Sequence, residues 1–219
     1  MLAHGVRGRS SRLFGPSVWR GNPNRKSVAL TFDDGPSEST PDLLATLRQY
    51  NVPATFFACG ANIRRLPDIA REVHAAGHEI GNHSDSHPLC CFRTASFIEQ
   101  EFERFQQTSQ DALGFTPALL RAPFGVRWFG YRRMQRKLGL LGVMWTIIGR
   151  DWDIEAHQIC DRVVKAACNG AIICLHDGRE CSPKPDVGAT LEAVKRILPA
   201  LLEQGYQFET VSQILCPTA

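Results

Sequence analysis

The chain has 219 residues, 43% of them hydrophobic, and a formal charge of +3 from 25 Lys/Arg and 22 Asp/Glu. That size and apolar content suit one α/β domain with a single sizeable core better than two small domains. Residues 1–26 hold six of the basic residues (Arg7, Arg9, Arg12, Arg20, Arg25, Lys26) and no acid, which leaves 19 basic against 22 acidic residues elsewhere and excludes a nucleic-acid-binding profile for the body of the protein.

Residues 1–26 form a basic N-terminal extension, read as a solvated tail or part of a longer leader, with a tether to an anionic surface as the alternative. The body, 27–219, alternates. Residues 28–34 are apolar and strand-like; 40–50 carry Leu43, Leu44 and Leu47 at helical spacing. A strand at 54–59 and a helix at 67–76 ending on Gly77 follow, then a short strand at 79–83. The longest helix spans 96–113, with Phe97, Ile98, Phe102 and Phe105 on one face and Gly114 just past its end. Strands at 119–122 and 142–148 flank a basic helical piece, 131–138. A helix (156–167), a strand (171–176), a helix (190–204) and a last short strand (207–210) complete the chain. Repeated strand-then-helix units predict a mostly parallel sheet of about seven strands, closed or nearly closed into a β/α barrel.

The longest apolar run, 140–148, is too short to span a bilayer. The first residues lack the apolar core of a secretory signal. The chain as given reads as cytoplasmic, or as exported if a leader is missing. Eight cysteines show no CxxC zinc spacing. Cys59 and Cys174 lie in apolar strand-like runs, where cysteine acts as a small hydrophobe. Mostly reduced thiols are expected, with a disulfide involving Cys181 or Cys216 left open.

The chemistry sits at predicted strand ends, the face where barrels build active sites. "TFDDGP" places Asp33 and Asp34 side by side after an apolar strand. Two adjacent carboxylates resist ionisation together unless a cation is near. "HSDSH" places His83 and His87 four residues apart. With Asp34 they make two His and one carboxylate, a composition that leaves open positions and marks a catalytic metal site. Zinc suits it, as do cobalt, nickel or iron. Such an ion lowers the pKa of water from about 15.7 toward roughly 7 and polarises a carbonyl. Asp33 is then placed to take a proton, with Arg121 of "RAPFG" as its partner. His176, at the end of "AIICLH", is placed across the pocket to protonate a leaving group. "GRDWD" offers Asp151 or Asp153 to hold that histidine charged, with Trp152 as a shield. The basic set Arg127, Arg132, Arg133, Arg136 and Lys137 reads as a solvated helix face, or as a contact for an anionic glycan.

Taken together, "TFDDGP", "HSDSH", "RAPFG", "DW" and "LHD", in that order, resemble the polysaccharide deacetylase family across nearly the whole chain from about Ser27 to Leu215. The resemblance implies a distorted, incomplete β/α barrel. It implies a metal-dependent hydrolase that removes acetyl groups from N-acetylated sugars of the chitin-oligosaccharide or peptidoglycan type. It assigns Asp33 as general base, Arg121 as its partner, His176 as general acid and Asp151 as the aspartate that tunes it. Asp34, His83 and His87 become the metal ligands, and the Phe124 backbone N–H helps to hold the oxyanion. One departure stands out: many members carry a further Asp where this chain has Ile148, so Asp153 is a candidate to share the tuning. The implied partner is an acetylated oligo- or polysaccharide. Hydrolysis of a small cyclic amide, or a carbohydrate-binding module without catalysis, are the alternatives. The polymer, the acetyl position and the oligomeric state are left open.

Overall fold

The computed structural model describes residues 2–216, with side chains from residue 5 onward. Met1 and 217–219, the outer ends of the 1–26 and 27–219 segments, lie outside the described residues. Strand β1 (Ser17–Val18) comes first. It is followed by β2 (Ser27–Asp33), β3 (Thr55–Ala58), β4 (Glu79–Asn82), β5 (Leu119–Leu120), β6 (Leu141–Val143), β7 (Ile147–Ile148), β8 (Ala171–His176) and β9 (Gln207–Phe208). They form one sheet in the order β1-β6-β5-β4-β3-β2-β8-β7, with β9 beside β2, and every named pair is parallel. The expected parallel sheet and incomplete barrel are therefore present, with nine strands among the described residues rather than about seven.

Two particulars account for the difference. The apolar run 142–148 is not one strand. It supplies β6 near one edge of the sheet and β7 at the other. Residues 143 and 147 are four steps apart and span at most about 14 Å of extended chain, so the sheet curls until its two edges almost meet. The Thr146 hydroxyl, just before β7, donates to Trp19 O, just after β1, at 2.6 Å, which stitches across that gap. The other strand, β1, belongs to the basic N-terminal segment. Its pairing with β6 and the burial of Phe14 beside Trp128 and Phe129 replace the solvated tail by a packed one. Arg127, itself buried, donates to the carbonyls of Gly8 and Ser11 at 2.6 Å each.

The helices are α1 (Leu2–Arg7), α2 (Thr40–Gln49), α3 (Gly60–Arg65), α4 (Pro67–Ala75), α5 (Ala95–Leu113), α6 (Tyr131–Leu138), α7 (Ala156–Ala166), α8 (Gly188–Glu203) and α9 (Val211–Leu215). Helix α5 starts where the Thr94 hydroxyl accepts from Phe97 N–H and stops at Gly114, whose φ of 82° only glycine adopts readily. Strand parity decides which side chains meet the helices. Along β2, Val28, Leu30 and Phe32 enter the main core with Leu43, Leu47, Ile197 and Leu201. Along β8, Ala171, Ile173 and Leu175 do the same. The alternate residues face inward. Since β2 and β8 pair in register, the inner rows run Ala29 with Ile172, Thr31 with Cys174, and Asp33 with His176. An apolar floor thus gives way to polar groups at the carboxyl ends of the strands.

No described cysteine forms a disulfide. Cys59 and Cys174 are buried, and burial pushes both thiols well above the ordinary value. Alkylation of the native protein should therefore spare Cys59 and Cys174. Denaturation without reductant should expose most of the eight thiols to label, read by intact mass. Three or four surviving disulfides would contradict this.

Candidate active site

Asp33 ends β2 facing inward, and Asp34 then turns into the left-handed region at φ 74°. That turn aims the second carboxylate at His83 and His87, so neighbours in sequence serve one pocket from two directions. His87 is left-handed as well, at φ 54°, so the pair, although four residues apart, does not stand on a helical turn. The segment between them is irregular and brings the rings to 4.9 Å between centroids. Gly178 backs onto the turn so closely that a Cβ there would stand 2.4 Å from Asp34 O.

The Nε2 atoms of His83 and His87 lie 3.2 and 3.1 Å from Asp34 Oδ1. Burial alone would push the Asp34 carboxyl up, but the two imidazoles outweigh it and hold it well below the usual carboxylate range. His83 Nδ1 lies 2.8 Å from Arg121 O. A carbonyl only accepts, so the proton of a neutral ring sits on Nδ1 and the lone pair of Nε2 faces Asp34. Oδ1 of Asp34 is buried and has no hydrogen-bond donor. Its other oxygen accepts from Glu180 N–H at 2.8 Å. With Nε2 unprotonated, His83 and His87 join Asp34 as three converging electron-pair donors that suit a divalent cation, and the His83–carbonyl bond is the outer support that metal-bound histidines use. Among the described residues this is one of two His/Cys/Asp/Glu groups close enough to hold an ion; the other is Asp33, Cys174 and His176. There the groups are already engaged. Asp33 Oδ1 meets Arg121, and His176 Nδ1 meets Asp151. Burial keeps Cys174 a neutral thiol, 3.5 Å from Asp33 Oδ2.

Arg121 is fully buried and donates to Asp33 Oδ1 at 2.6 Å and to Thr31 Oγ1 at 2.7 Å. The Phe57 ring lies 4.1 Å from its guanidinium carbon. A charge so placed has to be paired. Asp33 Oδ2 remains toward the pocket, 4.0 Å from His83 Nε2. Opposite, His176 Nδ1 lies 2.8 Å from Asp151 Oδ1. The other oxygen of Asp151 accepts from His176 N–H at 2.7 Å and from the Thr190 hydroxyl at 2.6 Å. Burial disfavours a charge on His176, yet the Asp151 carboxylate lifts its pKa to about 9. Asp153 instead pairs with Arg150 on the surface and does not reach His176.

Asp33, Asp34, His83, His87 and His176 line one cavity of about 780 Å³ with Phe124, Trp145, Ile148, Trp152, Arg7 and Arg179. Phe124 is left-handed at φ 56°, and its ring meets His87 at 4.6 Å. Trp152, half exposed, stands edge-on to His176 at 5.2 Å. Several supporting residues escaped the sequence reading. Asn62 donates to Asp34 O at 2.6 Å, and Arg179 to Asp151 O at 2.8 Å. Thr190 was seen only as part of a helix. Asp177 stood in "LHD", the one available signal. It lies buried behind Gly35, where burial raises its pKa to about 7 despite the Thr40 hydroxyl.

A family model described as polysaccharide deacetylase matches residues 20–143. The chain is 33% identical over 198 residues to a chitooligosaccharide deacetylase of Bradyrhizobium sp. (strain ANU 289), covering 86% of this chain and 90% of that protein. It is 35% identical over 206 residues to a peptidoglycan-N-acetylglucosamine deacetylase of Bacillus cereus, covering 90% and 92%. Among solved structures, a peptidoglycan N-acetylglucosamine deacetylase bound to a hydroxamate-type benzamide superposes with a TM-score of 0.85 at 29% identity, over 90% of this chain and 91% of that one. A CE4 family pseudoenzyme from Bacillus anthracis superposes with a TM-score of 0.84 at 26% identity, over 93% and 70%.

Proposed function

Because the chain belongs to the polysaccharide deacetylase family, we propose that it hydrolyses acetyl groups from N-acetylated sugars of the chitin-oligosaccharide or peptidoglycan type, using a divalent metal. The observation that carries this reading is a single cavity in which Asp34, His83 and His87 converge while Asp33–Arg121 and His176–Asp151 flank them. Likeness of fold extends to a pseudoenzyme, so activity is inferred from these residues and not from the superposition. The catalytic body is assigned to residues 27–219, with 1–26 as a basic extension.

Asp34, His83 and His87 would hold the ion. Zinc fits the nitrogen and oxygen donors, with cobalt, nickel or iron as substitutes. When bound, such an ion supplies a Lewis acid for the acetyl carbonyl and acidifies water. Asp33, steadied through Oδ1 by Arg121, takes the proton of the attacking water on Oδ2. The Phe124 N–H stabilises the negative charge that develops on the acetyl carbonyl oxygen. His176, held by Asp151, donates its proton to the departing amine nitrogen. Trp152 covers the sugar side of the pocket. One nitrogen of His176 and one oxygen of Asp33 lie within 4.8 Å of each other, so base and acid address the same reacting centre.

Acetate release from chitin, peptidoglycan and acetylxylan fragments tests the substrate class. Binding to these fragments without acetate release would favour the carbohydrate-binding module. A finer test separates the leaving groups. An amine departs poorly unless protonated, whereas an activated aryl alcohol leaves as its anion. His176→Ala should therefore damage amide hydrolysis far more than hydrolysis of an aryl acetate, with metal content unchanged. Equal fractional losses on both substrates would remove His176 as the acid. The pH profile gives the sign. The imidazole's pKa is raised to about 9, so the proton is in place at neutral pH and amide turnover falls as pH rises through about 9. Asp151→Asn removes the partner that lifts it, so this alkaline limb should move to lower pH.

A further inference from the structure

An exposed aromatic patch takes no part in the chemistry above. Phe92 is 84% exposed, Phe129 63% and Leu13 57%. These side chains are not scattered. Phe92 and Trp128 have ring centroids 4.8 Å apart, and Trp128 and Phe129 are 5.2 Å apart. Buried Phe14, the neighbour of Leu13, meets Trp128 at 5.8 Å and Phe129 at 5.1 Å. Single exposed apolar residues need no explanation, but a contiguous aromatic group does.

The charge around the patch has one sign. Its residues lie in acid-free stretches of the chain: 5–32, 86–98 and 112–150 contain no Asp or Glu. Helix α5 brings acids close, but Glu99 and Glu103 are occupied by Arg133 and Lys137. Arg12, Arg93, Arg132 and Arg136 have no acidic partner within 4.0 Å among the described residues. Arg132 donates to the carbonyls of Arg12 and Leu13 at 3.0 and 3.5 Å, which fixes a cation beside the exposed leucine. Arg136 follows one turn later on the same side of α6.

We propose that this face docks the protein on an anionic lipid bilayer. Phe92, Phe129 and Leu13 would enter the headgroup boundary, and Arg12, Arg93, Arg132 and Arg136 would meet lipid phosphates. A soluble polyanion would use the arginines and leave the protruding apolar groups in water. An anionic bilayer takes both, because it offers surface charge and an apolar layer beneath. The assignment does not rest on the catalytic reading. It gives a use to Arg12 and Leu13 of the basic N-terminal segment, which do not line the catalytic cavity.

The test is co-sedimentation of the full chain with phosphatidylcholine vesicles, with and without phosphatidylglycerol. Binding should require the anionic lipid and weaken with salt, as screened surface charges do. The R132Q/R136Q variant should bind about fivefold more weakly per charge removed, roughly 25-fold in all. The F92S/F129S variant should lose the binding that survives at high salt. Melting temperature and acetate release from a soluble oligosaccharide should match wild type in both variants, which keeps folding apart from docking. No sedimentation with anionic vesicles would overturn the proposal, as would binding unchanged in both variants. Equally tight binding to dextran sulfate that ignores F92S/F129S would overturn it in favour of a soluble polyanion.

Discussion

Asparagine in place of Asp33 is expected to cut turnover by about 10²–10⁴-fold, the usual contribution of a general base, while metal content stays stoichiometric. The substitution is nearly isosteric. Its amide oxygen can still accept from Arg121, which now donates to Asp33 Oδ1 at 2.6 Å. What disappears is the negative charge and the proton acceptor at Oδ2, the oxygen left facing the pocket. The cost falls on stability too, because Arg121 is fully buried and loses its counter-charge; removing one partner of such a pair outright costs about 3–5 kcal/mol, and the retained hydrogen bond should soften that. The experiment therefore reads kcat on an N-acetylated oligosaccharide together with melting temperature and elemental analysis. A near-normal rate in a folded, metal-loaded Asp33→Asn protein would take Asp33 out of the mechanism.

Alanine at both His83 and His87 should remove metal and activity together. Asp34 alone supplies one donor where the site otherwise presents three, and catalytic sites of this kind hold their ion through three protein ligands. The two histidines differ in what else they support. His83 Nδ1 is hydrogen-bonded to Arg121 O, so His83→Ala leaves a buried carbonyl unpaired, at about 1–3 kcal/mol. His87 Nδ1 is buried and has no protein partner, so His87→Ala should lose metal with the smaller loss of stability and is the cleaner single substitution. Elemental analysis after purification decides the matter: a full equivalent of metal retained by the double variant would overturn the assignment.

Much of this was legible in the chain before it was folded. Val28–Phe32, Ala54–Cys59 and Ala171–Leu175 are apolar runs of strand length bounded by turn residues, and parallel strands covered on both faces read that way. The family motifs survive as short strings because each sits where a strand ends and the next turn begins, so its members stay close in sequence. Asp33, Asp34, His83, His87, Arg121, Asp151 and His176 could all be named from those strings, and all seven meet in or beside one cavity.

Tertiary structure decided what periodicity cannot carry. Leu141–Val143 and Ile147–Ile148 read as one strand because both are buried and apolar; only closure of the sheet sends them to different neighbours. Ser17–Val18 has no pattern of its own and becomes a strand because β6 offers it an edge. Asp151 and Asp153 have the same chemistry two residues apart, and packing alone turns one toward His176 and the other toward Arg150. Asn62 and Thr190 were invisible as site residues because a hydrogen bond to a distant loop leaves no local spacing. By itself the sequence determined the chemical inventory and the order of the longer strands and helices, since both follow from neighbouring residues. The fold alone decided which oxygen of each aspartate faces which partner, because that depends on contacts between residues as much as 146 positions apart.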